Sequence, residues 1–217
     1  FVGRSIMPGF VGREDEIEAF GEFLESDSFF FVFHGTGGIG KTRLLYESGL
    51  FALQKTKWQV LWANVATMEN TSDWFSAVVP EKPTLLLIDE PESDKLLRLM
   101  MEQVGRKIGR AAGWKVAISV RSHKDPVLRF LSDAKIRSRV TFLPVKALPS
   151  ESSVEMCEGL LRSGNLGAET DSWIEHASKQ IAQNFSSHPI WISIAVSVLE
   201  RDGNLARLPK ATSGLME

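Results

Sequence analysis

Apolar and polar residues alternate along the first two thirds of the chain in blocks that predict strands and helices in turn. Nearly continuous apolar runs, rich in aromatic and β-branched residues, predict five strands, at residues 29–33, 58–65, 84–88, 115–120 and 139–143. Helical spacing or capping residues predict helices after Glu14, after Thr42, over 71–79 and over 94–110. This alternation indicates an α/β fold with a parallel sheet that carries helices on both faces.

The last third of the chain has a helical pattern only. Pro144 and Pro149 bracket the change, which predicts one domain over residues 1–148 and a small helical domain over residues 149–217. The helices of the second domain are marked by a stripe of Val154, Cys157, Leu160 and Leu161, by a capping box of Ser172 with Glu175, and by Pro189 at a first helical position.

Composition narrows the functional class. The 217 residues are 43% hydrophobic and 24% charged, with a net charge of −2, which is typical of a soluble globular protein and unlike one that coats nucleic acid or an anionic membrane. The single cysteine, Cys157, excludes an internal disulfide and favours a reducing, cytoplasmic setting. The longest apolar run, residues 190–199, is too short to cross a bilayer. Because residue 1 is Phe, we expect a piece of a longer chain.

The first predicted strand leads into a segment that matches the pattern G-x-x-x-x-G-K-[ST]: Gly35, Thr36, Gly37, Gly38, Ile39, Gly40, Lys41 and Thr42. Glycines let the backbone curl its N–H groups around a phosphate. Lys41 is expected to reach the β- and γ-phosphates, and Thr42 to offer a hydroxyl to Mg²⁺. The alternative is a plain glycine-rich turn, but the strand before it and the helix after it favour a phosphate-binding loop.

Charged residues end two of the later predicted strands. Asp89 and Glu90 follow an apolar run, and behind a phosphate loop this arrangement predicts that Asp89 holds Mg²⁺ and that Glu90 orients the attacking water. The alternative is a buried strand that stops at a charged loop. Arg121 leaves the next strand, where it could reach a γ-phosphate or could be an ordinary surface arginine.

Together, these segments resemble the STAND family of ATPases, the NB-ARC- and NACHT-like signalling switches of the AAA-related branch. The resemblance rests on Phe10-Val11-Gly12-Arg13-Glu14, Gly37-Gly38-Ile39-Gly40-Lys41-Thr42, Leu85-Leu86-Leu87-Ile88-Asp89-Glu90 and the strand-borne Arg121. Residues 143–161 resemble the start of that family's helical lid, and Ser187-His188-Pro189-Ile190 is similar to its G-x-P-[LI] motif. The resemblance extends from about residue 10 to residue 199.

The resemblance implies a nucleotide site. Val11, Gly12 and Arg13, at the start of an adenine-contacting segment over residues 10–25, would lie along the adenine and ribose, with Pro189 on the other side of the base. The full set expected to bind nucleotide is Val11, Gly12, Arg13, Gly35, Thr36, Gly37, Gly38, Ile39, Gly40, Lys41, Thr42, Arg43 and Pro189. Thr42 and Asp89 would hold Mg²⁺, while Glu90, Lys41 and Arg121 would act in hydrolysis, with Arg121 sensing the γ-phosphate.

The sequence also departs from the family pattern. Ser187 stands where the motif has glycine. We expect the chain to stop before a full winged-helix domain, so the histidine that relatives place on the β-phosphate is not assigned, and His188 is not expected to take its role.

The predicted architecture is a P-loop NTPase with a five-stranded parallel sheet, followed by a small helical lid. The strand order 5-1-4-3-2 is expected by analogy with the wider phosphate-loop class. The expected function is an ATP- and ADP-binding, slowly hydrolysing, Mg²⁺-dependent switch in a signal-transduction protein that self-associates on activation, in immune or antiviral defence. Two alternatives remain: an AAA-type ATPase that acts on DNA, such as a replication initiator, and a small-molecule kinase or simple binding module. A kinase lid should be rich in arginine, whereas the only arginine or lysine residues in the segment 150–200 are Arg162 and Lys179.

Overall fold

The computed structural model describes residues 10–55, 58–63, 83–91, 98, 113–121, 126–133, 137–164, 170–185 and 187–203. These residues divide into two compact units. The sheet unit comprises the described parts of residues 15–37 and 41–145, and the helical unit comprises those of residues 10–14, 38–40 and 146–203. Each unit is considered by itself.

Five parallel strands form the sheet unit: β1 (Phe30–His34), β2 (Gln59–Ala63), β3 (Thr84–Asp89), β4 (Trp114–Val120) and β5 (Val140–Pro144). Their order is β2-β3-β4-β1-β5, which confirms the predicted order 5-1-4-3-2. The helices assigned to this part of the chain are α1 (Glu14–Glu25), α2 (Lys41–Lys55) and α3 (Pro126–Leu131), and a 3₁₀ turn, Arg137–Arg139, precedes β5.

Strand β1 is buried on both faces, as its aromatic run predicts. Phe31 packs against the rings of Phe20 and Phe23 of α1, with centroid separations of 5.4 and 5.1 Å. Phe30 and Val32, on the opposite face, belong to a second apolar cluster with residues of β3 and β4. Because its neighbours are β4 and β5, β1 is an interior strand, and its carboxyl end meets those of β3 and β4 at one edge of the sheet.

Three helices form most of the helical unit: α4 (Ser150–Ser163), α5 (Asp171–Asn184) and α6 (Pro189–Asp202). Their core contains the predicted stripe residues Cys157 and Leu161, together with Ile181, Ile192 and Leu199. Burial raises the pKa of the Cys157 thiol to about 12, so this side chain is an unreactive packing group.

The helix ends of this unit agree in part with the sequence. Pro189 occupies the first turn of α6, and Gly203 ends that helix in the left-handed conformation with φ 64°. The predicted capping box of Ser172 with Glu175 is wrong. Thr170 has the extended backbone that an N-cap requires, and its hydroxyl accepts the Trp173 N–H at 3.3 Å, so α5 starts before Ser172.

The helix predicted over residues 71–79 lies outside the described residues, as does that over 94–110 apart from Arg98. Among the described helices, none has the length and apolar character that a bilayer crossing requires.

A buried lysine ties the end of α1 to the sheet. Lys115 of β4 is 7% exposed, and its ammonium donates to the carbonyl oxygens of Phe23, Ser26 and Ser28 at 2.7, 2.5 and 2.8 Å. It also lies 4.5 Å from the centre of the Phe23 ring. These carbonyls belong to the last turn of α1 and the turn before β1, where helix carbonyls lack partners within the helix. Lys115 therefore provides a hydrogen-bond donor to the carbonyl oxygens of the chain segment that leads into β1.

We expect Lys115→Met to lower the free energy of unfolding by about 3 kcal/mol, because it leaves three carbonyl oxygens without their charged donor. For a chain of this length that corresponds to a fall in melting temperature of roughly 6–12 °C, measured by thermal denaturation. Lys179→Met is the matched control, since Lys179 forms an exposed pair with Glu175 and its loss should change the melting temperature little. Equal shifts in the two variants would contradict the anchoring role.

The same lysine predicts a pH dependence. Burial lowers the pKa of folded Lys115 from its ordinary 10.5 to about 8. Between these values the unfolded chain binds more protons than the folded chain, so the stability of the wild type relative to Lys115→Met should rise from pH 8 to pH 10.5. Melting temperatures of both proteins across this range test it. A difference that is flat or falls with pH would show that the three carbonyls, rather than burial, set this pKa.

Candidate nucleotide-binding site

The glycine-rich segment connects β1 to α2. Gly38 and Gly40 have φ angles of 75° and 98°, in the left-handed region that glycine enters without strain. Helix α2 begins at Lys41, immediately after the last glycine, and the sequence of its first turn contains no acidic residue. The positive end of the helix dipole is therefore not neutralised by its own side chains, which suits an anion.

Lys41 is held inside this loop. Its side chain is 3% exposed, and its ammonium donates to the carbonyl oxygen of Thr36 at 2.8 Å. Burial lowers the pKa of Lys41, and the nearby Glu90 carboxylate, 4.0 Å from the ammonium, opposes that shift. The Lys41 side chain thus reaches back to Thr36, the second residue of the loop, and lies where it can contact phosphate oxygens.

Thr42 and Asp89 meet as the sequence predicts. The Thr42 hydroxyl donates to Asp89 Oδ1 at 3.1 Å, although the two residues are far apart in the chain. The Ser119 hydroxyl of β4 donates to the same carboxylate oxygen. Oxygen atoms of this kind are the ligands that Mg²⁺ prefers, and it usually takes one or two protein ligands beside water and phosphate. Among the described residues, no group of three or more His, Cys, Asp or Glu side chains could hold a metal, so an ion here would depend on Thr42, Asp89 and a bound phosphate.

Glu90 has an unusual backbone. Its φ is 42°, in the region that non-glycine residues rarely enter, and its N–H donates to the carbonyl oxygen of Ser119 at 3.1 Å. Its carboxylate accepts a hydrogen bond from Arg121 Nε at 2.7 Å. Arg121 itself is 71% exposed in its side chain. The structure therefore brings Lys41, Asp89, Glu90 and Arg121 together, and pairs the candidate water-orienting acid with the candidate γ-phosphate sensor.

Arg43 differs from the other predicted loop residues. Its Nε donates to Glu47 Oε1 at 2.7 Å, one turn further along α2, and its guanidinium lies 6.0 Å from the centre of the Tyr46 ring. Arg43 thus contacts other side chains of α2, and the expected contact of Arg43 with a nucleotide stays a prediction.

The predicted base-binding residues lie in the helical unit. Arg13 is 4% exposed, and its guanidinium donates to the carbonyl oxygens of Ile39 and Lys146 at 3.1 and 2.8 Å. Gly12 has a φ of 67°, and a β-carbon there would collide with Ser152 of α4. Val11 is half-buried. Arg13 is therefore an internal tie within this unit.

The start of α6 contacts the loop glycines that belong to the same unit. The Ile190 N–H donates to the carbonyl oxygen of Gly38 at 3.3 Å, and a β-carbon on Gly38 would collide with the Ile190 side chain. Pro189 lies 3.8 Å from the position of a β-carbon on Gly40. Glycine at position 38 is therefore required by close approach as well as by its φ angle.

The departure at Ser187 has a structural correlate. Ser187 has a φ of 58°, a left-handed conformation that glycine adopts more readily than serine. Its carbonyl oxygen accepts the Leu148 N–H at 3.2 Å. Burial lowers the pKa of the neighbouring His188, which is therefore a neutral side chain at the start of α6.

One residue of the site was missed from the sequence. Ser119 interrupts an apolar strand, and a single buried serine carries no pattern that distinguishes it from a packing residue. Its only signal is its position two residues before Arg121, on a strand expected to lie beside the strand of Asp89.

No protein-family model matches the chain, and no protein of curated function matches it in sequence. Several solved structures are similar in fold. The Aeropyrum pernix ORC2 protein, in its ADPNP and ADP complexes, has a TM-score of 0.64 and 12% identity, over 96% of this chain and 68% of its own. Saccharomyces cerevisiae Hsp104 in complex with casein has a TM-score of 0.63 and 16% identity, over 90% of this chain.

The replication initiator DnaA, bound to AMPPCP and single-stranded DNA, has a TM-score of 0.58 and 16% identity, over 91% of this chain. This chain spans 39% of the Hsp104 chain and 64% of the DnaA chain, which is less than two thirds of either. At these identities the similarity establishes the architecture. Together with the strand order, it shows that the chain shares the fold of these structures, a five-stranded parallel sheet of order β2-β3-β4-β1-β5 with helices.

Proposed function

We propose that this chain binds ATP and ADP at the phosphate loop and hydrolyses ATP slowly in the presence of Mg²⁺. The observation that carries the proposal is the pairing of Thr42 with Asp89 at 3.1 Å, beside the buried Lys41, where α2 begins. A hydroxyl, a carboxylate and a fixed ammonium at a helix N-terminus form the group of side chains that a nucleoside triphosphate with its metal requires.

Each residue has a distinct role in this proposal. The loop N–H groups and Lys41 bind the β- and γ-phosphates, while Thr42 and Asp89 hold the metal. Magnesium, when bound with the nucleotide, supplies positive charge that offsets the charge of the phosphates. Glu90 orients the water that attacks the γ-phosphate.

The ion pair between Arg121 and Glu90 supports a switching role. While Arg121 donates to Glu90, the carboxylate is engaged by a cation and is poorly placed to orient water. A γ-phosphate offers Arg121 a more highly charged anion, and ADP does not. ATP and ADP therefore differ in their contact with Arg121, and a ligand shifts a conformational equilibrium only through such a difference. A shift from 1:99 to 99:1 requires about 5.5 kcal/mol, which two or three charge-assisted contacts of roughly 1.5–3 kcal/mol each can supply.

We further propose that the switch is of the STAND type, in a cytoplasmic signalling protein that self-associates when activated, in defence. The sequence resemblance supports this, as do the contacts of α6 with Gly38 within the helical unit. We retain domain limits of 1–148 and 149–217, and base binding by Val11, Gly12 and Pro189. Since Arg13 is buried against two carbonyls, we propose that it positions Gly12 and Ile39 for the nucleotide.

A DNA-acting ATPase is the second candidate, since the DnaA structure with a similar fold holds single-stranded DNA. The net charge of −2 disfavours it. Fluorescence anisotropy with single-stranded DNA at several salt concentrations separates the two, because tight binding with a steep salt dependence would favour a DNA-acting enzyme.

We expect Lys41→Ala to weaken ATP and ADP binding by about 10- to 100-fold, since it removes a charged donor from the phosphates. Titration of a fluorescent nucleotide into the purified protein measures the affinity. Lys179→Ala, which removes an exposed cation on α5, is the control and should leave the affinity unchanged. If Lys41→Ala binds as tightly as the wild type, the phosphate-loop assignment is wrong.

We expect Arg121→Ala to lower the ratio of ATP affinity to ADP affinity by about 10-fold, because only ATP carries the phosphate that Arg121 would contact.

Glu90→Gln breaks the same ion pair but keeps the arginine, so it should retain ATP binding while turnover slows. The two affinities and the single-turnover rate are measured for both variants. An equal loss of ATP and ADP affinity in Arg121→Ala would make Arg121 a structural residue.

A further inference from the structure

We infer that Ser119 is a positioning residue that fixes both acids of the site, Asp89 through its side chain and Glu90 through its backbone. This inference rests on the proposed function, because it concerns the residues assigned there to the metal and to the attacking water. Neither the sequence pattern nor the similar folds assign a role to this serine.

The strand register places Ser119 directly beside Asp89. In the parallel pairing of β3 with β4, Asp89 is the register partner of Ser119, and it is the last pair of that ladder. Every residue of β4 is buried, and Ser119 itself is 0% exposed. A hydroxyl removed from water in this way must find partners within the protein, and it finds them in the two acids.

The first partner is the Asp89 carboxylate. Oδ1 of Asp89 accepts hydrogen bonds from two hydroxyls, those of Thr42 and Ser119. Thr42 is exposed and is the residue that would turn toward a metal, whereas Ser119 lies within the sheet. Ser119 can therefore keep the carboxylate in one orientation while Thr42 changes partner. A carboxylate that is already oriented loses less side-chain entropy when a metal binds.

The second partner is the backbone of Glu90. Its N–H donates to the Ser119 carbonyl oxygen at 3.1 Å and lies 3.3 Å from the Ser119 hydroxyl oxygen, so the bond is shared. These bonds hold Glu90 at a φ of 42°, a conformation that needs support from its surroundings. The resulting turn brings the Glu90 carboxylate to 4.0 Å from Lys41 and 2.7 Å from Arg121.

The ordinary interpretation of a buried serine is simple self-satisfaction, and the chain contains an example of it. Ser48 of α2 is also 0% exposed, but its hydroxyl donates to the carbonyl oxygen of Leu44 in its own helix at 2.8 Å. Ser48 thus provides a matched control, since its substitution removes an equally buried hydroxyl from the same unit without contact to either acid.

The test compares Ser119→Ala with Ser48→Ala in the full chain. The first readout is the affinity for fluorescent ADP and ATP with and without Mg²⁺. We expect Ser119→Ala to bind metal-free nucleotide within about 2-fold of the wild type, while the tightening that Mg²⁺ produces falls about 10-fold, because one donor to the metal-binding carboxylate is lost. The second readout is kcat at saturating Mg²⁺, which should fall about 10-fold with the KM for ATP little changed. Ser48→Ala should change the melting temperature alone.

Two further variants keep the test decisive. Ser119→Thr retains the hydroxyl and should restore the Mg²⁺ effect in part or in full. Ser119→Cys keeps the packing volume but offers only a weak donor, so its Mg²⁺ effect should lie between those of the wild type and the alanine variant. If Ser119→Ala does not fold, Ser119→Cys is measured in its place. A wild-type Mg²⁺ effect and kcat in Ser119→Ala or Ser119→Cys would overturn the inference. If the wild type binds no nucleotide, the proposed function and this inference are both wrong. That result differs from one in which the wild type binds nucleotide and the substitutions at Ser119 have no effect.

Discussion

The parallel pairing of β1, β3 and β4 is the constraint on which the candidate site depends. In parallel strands with matched registers, all carboxyl ends meet at one edge. The pairing therefore brings Lys41 and Thr42, which follow β1, beside Asp89 at the end of β3 and Ser119 near the end of β4. Burial of the aromatic run in β1 stabilises this pairing, so the glycine-rich loop follows a strand that is packed on both faces.

The charges at this edge compensate one another. Two cations, Lys41 and Arg121, lie against Glu90, and two hydroxyls donate to Asp89. A buried ammonium without a counter-charge would be strongly unfavourable, so the acids make the burial of Lys41 tolerable. A triphosphate bound here, as proposed above, would have to compete with these internal contacts, and its binding energy would be the difference between two sets of hydrogen bonds.

Much of the sheet could be predicted from the sequence, because buried parallel strands are continuous apolar runs and the phosphate loop has a fixed pattern. The strand order came from analogy with the wider phosphate-loop class. Ser119 could not be found, since its role depends on a register between strands distant in sequence. From the sequence, Lys115 resembles a solvent-facing residue, because its partners are carbonyls of α1 and of the turn before β1 that only the fold brings near it. Thr170, and not Ser172, caps α5, because the choice between these two nearby hydroxyls depends on backbone angles that the sequence does not reveal.

The single cysteine has a practical consequence. Cys157 is wholly buried in the core of the helical unit, and its thiol holds its proton far above neutral pH. A disulfide reagent can modify the Cys157 thiol only when that core opens. The rate of labelling therefore measures how often this unit unfolds locally, without any engineered probe.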